Sequence, residues 1–279
     1  MTRFLMLRTH DVGGAVVPPS VVDCDGVAPL GYQPVTDDAA AADVAGRDVV
    51  LAIHGFNVPR PHGVGSLAAL EAALALTPNY RFFGVLWPGD FWIPVIDYPW
   101  EAAHAVTAGR YLATYLNQNF TNAASISFIS HSLGGRVLLE AVQNLDRPAP
   151  QLCIAAGAAD DDCMVVQYQG AKRNAGRICV LSSTEDMVLK LAYPAGDFIS
   201  DVLLGDNDSP WESALGLKGP KPDAAPPIFE EPIPSGLGYG HGDYFPPSTP
   251  PVPPPADPKW RHAVDYMRRA ITGQASYWA

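Results

Sequence analysis

Five short runs, residues 48–53, 80–87, 125–129, 152–156 and 177–181, are apolar almost from end to end. A strand that shows one face to water alternates apolar and polar residues. A continuous apolar run of this length marks a strand covered on both faces. Segments with helical spacing fall between several of these runs: the Ala- and Leu-rich stretch 66–76, then 100–119, then 134–145. In the second of them Ala103, Val106, Tyr111, Leu112 and Leu116 lie near one helical face. Residues 3–8 supply a first strand and 260–271 a closing helix. Strands and helices in alternation imply an α/β fold, with a mostly parallel central sheet and helices on both faces. Residues 9–46, with Gly13-Gly14 and Pro18-Pro19, are expected to form a loop, as is the aromatic stretch 91–100 with its two prolines.

A chain of 279 residues, 48% of them apolar, has ample material for one large core. Half of its 28 prolines fall within 220–258, yet no clean linker separates two domains. The expectation is a single domain over 1–279, with 187–240 inserted as a lid or long loop. Its formal charge of −11, from 18 basic and 29 acidic residues, disfavours nucleic acid and anionic membrane surfaces, both of which attract cationic side chains. No run reaches the ~18 apolar residues of a membrane span, and the apolar N-terminal stretch is too short for a signal peptide. A soluble, cytoplasmic protein is expected. Cys24, Cys153, Cys163 and Cys179 have no metal-site spacing, and Cys153 and Cys179 lie within apolar runs as small core residues.

The chemistry concentrates at Ser130-His131-Ser132-Leu133-Gly134, which follows one strand and opens a helix. A serine on so tight a turn has its hydroxyl thrust out of the sheet, provided the residues two before and two after it are small. Ser130 and Gly134 are small, and Gly135 adds room. The N–H of Leu133 then points to where an oxyanion would form, at the N-terminus of a helix. A second donor is expected from His54-Gly55-Phe56-Asn57, after an earlier strand, with the Phe56 amide preferred and Asn57 the alternative. His54 is read as a brace for that loop.

A serine nucleophile needs a general base, and the base an orienting carboxylate. Of the seven histidines only His241 and His262 follow Ser132 at a useful distance. His262 lies on the final helix and is read as solvated, whereas His241 sits in a glycine-rich loop anchored by Tyr244-Phe245. His131 adjoins Ser132, so its side chain should diverge. The acid is sought after a late strand, where Ser182-Ser183-Thr184-Glu185-Asp186 offers Asp186, with Glu185 as substitute; Asp160 or Asp161, from the run Asp160-Asp161-Asp162, is the alternative.

Taken together, these motifs and Trp87-Pro88 resemble those of the α/β-hydrolase superfamily, over roughly residues 46–250. They look most like a bacterial family of largely uncharacterised serine hydrolases of esterase or lipase kind. The resemblance implies Ser132, Asp186 and His241 as a catalytic triad, with no metal and no cofactor. Two departures stand out: Ser130 where Gly is frequent, and the acidic run 160–162. The expected reaction is cleavage of a small carboxylic ester with an apolar part, through an acyl-enzyme. An amidase, peptidase or acyltransferase would use the same machinery, and a catalytically silent binding protein could share the fold. His54, Asn57, His131, Trp87 and Trp92 are candidates for touching substrate. Phe91, Trp92, Tyr98 and Trp100 would line an apolar pocket.

Overall fold

The five strands expected from the apolar runs lie side by side, fourth to eighth, in a nine-stranded sheet whose order is β3-β2-β1-β5-β4-β6-β7-β8-β9. The computed structural model describes residues 1–27, 29–90, 98–191, 213–221, 227–249, 255–274 and 277–278, with backbone alone at 98–102. Within them the strands are β1 (Thr2–Arg8), β2 (Val16–Cys24), β3 (Gln33–Val35), β4 (Asp48–Ile53), β5 (Tyr80–Leu86), β6 (Ser125–His131), β7 (Leu152–Ala155), β8 (Ile178–Ser182) and β9 (Ile228–Pro232). The helices are α1 (Asp37–Val44), α2 (Arg60–Leu74), α3 (Tyr98–Asn119), α4 (Gly134–Gln143), α5 (Gln169–Asn174), α6 (Leu215–Lys218) and α7 (Trp260–Ile271). From β1 to β9 every pairing is parallel; β2 and β3 add an antiparallel edge.

Strand β4 explains the apolar pattern. Val50 pairs with Phe82 on one side and with Ser127 on the other, and the strand is buried from Val49 onward. With helices above and below there is no wet face to encode. The chain passes from β4 leftward to β5 through α2, then back across β4 to β6 through α3. Right-handed crossovers in opposite directions put α2 and α3 on opposite faces of the sheet. Accordingly α7 packs with α2, while α3, α4 and α5 pack together. The reversal opens a crevice at the carboxyl ends of β4 and β6, where open α/β sheets hold their sites.

Four segments depart from expectation. Residues 9–46 are not one loop: they hold β2, β3 and α1. Pro18-Pro19 sits in β2 because the register against β1 shifts between Met6 and Arg8, and because β3 reaches only Val21–Asp23. The prolines lie where ladder donors are not needed. The alanine-rich patch forms α1, capped by Thr36 Oγ1 accepting from Ala39 N–H at 3.2 Å. Helix α2 begins at Arg60 rather than 66 because Pro61 is suited to a first turn. Helix α3 likewise takes in residues 98–100 of the expected aromatic loop, the rest of which lies outside the described residues. Finally, β9 and α6 fall inside the expected lid. Strand β9 extends the sheet beside β8, and α6 is jammed against the end of β7, with Gly216 N–H bonded to Gly157 O at 2.9 Å. These parts of 187–240 belong to the body of the fold. Their polar and proline-rich composition hid them, since β9 is an edge strand exposing Phe229 and Glu230.

Candidate active site

Ser132 and Leu133 form the whole connection between β6 and α4. Ser132 has φ 54°, in the left-handed region that costs a residue bearing a Cβ about 1–2 kcal/mol. The surroundings hold it there. Its N–H donates to Ala155 O (3.0 Å), and its carbonyl accepts from Gly135 and Ala158 N–H (2.9 and 3.1 Å). A Cβ on Gly134 would lie 2.5 Å from His54 O and 2.9 Å from Ile53 O, so that position must be glycine. Gly135 contributes less than expected, since a Cβ there would meet nothing nearer than Ile154 at 3.4 Å. Ser130 fits its fully buried place without displacing the turn.

His241, Asp186 and Ser132 meet from three separate loops. His241 Nδ1 is 2.7 Å from Asp186 Oδ2, and its Nε2 is 2.8 Å from Ser132 Oγ. A carboxylate facing Nδ1 makes that nitrogen the donor, which leaves Nε2 to accept from the serine hydroxyl. The other oxygen of Asp186 accepts from Val188 and Leu189 N–H, at 3.0 and 3.1 Å, so this fully buried carboxylate also caps the helical turn after it. The alternative acids are engaged elsewhere. Asp160 pairs with Arg136 (3.3 Å) and Asp161 with Lys221 (3.3 Å). Glu185 accepts from Gly236 N–H and Gly238 N–H, at 3.0 and 2.7 Å. His262 faces the exposed Asp257 at 3.0 Å, on the solvated helix face expected for it.

Leu133 N–H has no acceptor among the described residues and lies at the start of α4. The turn carrying Phe56 runs alongside: a Cβ on Gly55 would be 2.8 Å from Ser132 Cβ. Asn57 N–H donates to Gly89 O, which removes it from the set of donors facing the serine.

With this geometry in hand, the sequence was compared with known proteins. Residues 39–200 match a family model described as alpha/beta hydrolase of unknown function (DUF900). The chain belongs to this family. Comparison with curated proteins returned no match. Among solved structures, similar ones include SOBER1 of Arabidopsis thaliana (14% identity, 82% of this chain and 99% of that one, TM-score 0.45). Others are a predicted CIB-like hydrolase from Thermoplasma acidophilum (14%, 89% and 97%, 0.45) and a hyperthermophilic esterase from Pyrobaculum calidifontis (12%, 95% and 84%, 0.44).

In this member of the DUF900 family, two of the expected substrate contacts act inside the protein instead. His54 is buried. Its Nε2 accepts from Trp87 N–H (3.3 Å), and its Nδ1–H donates to Gly55 O (2.9 Å). Burial lowers its pKa to about 3, so it is a neutral brace for the turn. Trp87 is fully buried, stacked on His54 at 5.9 Å with its indole N–H on His54 O (2.9 Å). Both are held among protein groups. Trp92 and Phe91 lie outside the described residues, as do the side chains of Tyr98 and Trp100.

The site is also held by struts that no motif announces. Ser183 Oγ donates to Tyr239 O (3.0 Å), and with Glu185 it ties the loop of Asp186 to the loop of His241. Lys259 Nζ donates to Gly238 O and pairs with Asp243 (3.3 Å). Arg8, at the end of β1, donates to the carbonyls of His10, Asp11, Gly13, Val58 and Trp87 and pairs with the buried Asp90. A charge closing an apolar strand was the available signal for Arg8. Among the described residues no helix is long and apolar enough to cross a membrane, and no group of three or more His, Cys, Asp or Glu is disposed to hold a metal. All four cysteines are buried, and none forms a disulfide among the described residues.

Proposed function

We propose that this chain is a serine hydrolase that cleaves small carboxylic esters through an acyl-enzyme, with Ser132 as nucleophile. The observation that carries the reading is the imidazole of His241, within 2.7 Å of Asp186 and 2.8 Å of Ser132. In the first step His241 Nε2 takes the Ser132 proton as Oγ attacks the ester carbonyl. Leu133 and Phe56 N–H groups steady the tetrahedral oxyanion. His241⁺ then gives its proton to the departing alkoxide, leaving Ser132 acylated. Water then adds to the acyl carbon as His241 Nε2 takes its proton, and the second tetrahedral intermediate collapses: the bond from Oγ to the acyl carbon breaks, His241⁺ returns the proton to Ser132 Oγ, and the carboxylic acid leaves. Asp186 stays ionised throughout and keeps Nδ1 protonated. Esters are the proposed substrates because an alkoxide asks less of the general acid than an amide nitrogen does. The whole of 1–279 acts as one domain in this reading, while residues 192–212 and 222–226 of the expected lid lie outside the described residues.

Labelling by a fluorophosphonate probe, followed by peptide mapping, tests the proposal. Modification of Ser132 in folded wild type, absent in Ser132→Ala, is the expected result. No labelling of the folded protein would sink the proposal in favour of a binding role. Asp186→Ala should lower turnover of p-nitrophenyl esters about 10⁴-fold, as loss of the orienting carboxylate does in other triads. Unchanged turnover would move the acid role elsewhere.

A further inference from the structure

We infer that His131 is a positioning residue: it holds His241 at the height where its imidazole meets Ser132, by donating to the backbone carbonyl of His241. The inference rests on the serine-hydrolase reading above and adds a residue to it. His131 ends β6 one position before the nucleophile, and its side chain turns away from Ser132 toward the loop of the base. Its Nε2 lies 2.8 Å from His241 O. Since a carbonyl only accepts, Nε2 carries the proton and Nδ1 is bare. The ring is packed from several sides, 4.8 Å from the His241 ring, 5.4 Å from Phe245 and 5.9 Å from Tyr244. On its far side Nδ1 approaches the turn that carries Phe56, within 3.0 Å of where a Cβ on Gly55 would stand. His131 is thus wedged between the base loop and the oxyanion turn, and it sets their spacing.

The same ring is well suited to sit beside a histidine that becomes charged. The ionisable groups near it include His241, Asp186, His54 and Tyr244. Burial first, and the proximity of His241 second, lower its pKa to about 3. His131 therefore stays a neutral donor when His241 takes the serine proton, and no second cation opposes the intermediate.

The test compares His131→Leu, which removes the donor, with His131→Gln, whose amide N–H reaches the place of Nε2, and His131→Asn, whose amide falls short. Two readouts are taken on folded protein. One is kcat and KM for a p-nitrophenyl ester. The other is the far-downfield proton resonance of the His241–Asp186 hydrogen bond, which reports position without catalysis. The Leu and Asn variants are expected to lose about 10–100-fold in kcat with KM little changed, and to broaden or lose the resonance. The Gln variant should recover most of both. Should Leu fail to fold, Gln against Asn carries the same comparison. An unchanged resonance in the variants lacking the donor, or equal losses in Gln and Asn, overturns the inference. A wild type that shows the resonance but takes no fluorophosphonate overturns the hydrolase reading and leaves the positioning role to stand on the resonance alone.

Discussion

Ser132 occupies a conformation that glycine would adopt more easily. Ser132→Gly should therefore abolish turnover yet raise stability by about 1 kcal/mol, read as a higher urea midpoint at unchanged slope. A lower midpoint would mean that the hydroxyl's bond to His241 outweighs the strain. His54 makes a second prediction at this scale. Unfolded, it takes up a proton near pH 6.5; folded, it does so only near 3. Between these values the unfolded chain binds the extra proton, so stability rises with pH. The contribution is fully present above pH 6.5 and is lost as pH falls toward 3, at up to ~1.4 kcal/mol per pH unit. Urea midpoints from pH 7 to 4 should fall less steeply for His54→Asn than for wild type. Single residues were the most legible level of the sequence. The three side chains that meet at the candidate site, Ser132, Asp186 and His241, stood out because a short apolar strand, a tight turn and a polar cluster each announce a loop end. The roles of His54, His131 and Trp87 were not legible, because whether an aromatic faces ligand or backbone depends on neighbours far away in sequence.

Loops, more than strands, are what Arg8 organises. It stands at the end of β1, binds carbonyls after β1, β4 and β5, and pairs with Asp90. Burial is the leading influence on both, lowering the pKa of Arg8 and raising that of Asp90. Such a pair adds little net stability, but removing one partner strands the other. Arg8→Met should cost about 3–5 kcal/mol by chemical denaturation, and adding Asp90→Asn should restore part of it. Additive losses would show that the carbonyl bonds, not the ion pair, dominate. Elements with a continuous apolar run, β4 to β8, or with a helical period, α2 to α4, were visible from sequence. Those that were not, β2, β3 and β9, are edge or antiparallel strands, and half-exposed strands with proline carry the same composition as loops.

At the scale of the whole molecule, the last helix closes the first half of the chain. Tyr266, Met267 and Ala270 of α7 are buried, and α7 packs on α2 as well as on β6 and β7. Truncation before Trp260 should leave an insoluble chain without a cooperative thermal transition. Intact protein should unfold in one step, with far- and near-ultraviolet circular dichroism coincident. Two separated transitions would divide the chain into two domains. The bonds from Ser183 and Glu185 to residues 236–239 have a further consequence, for descent rather than for chemistry. They join the two ends of a long stretch directly, so the distance from acid to base does not depend on what lies between. Selection can rewrite or lengthen parts of the sequence between Asp186 and Gly236 while Asp186 and His241 keep their spacing.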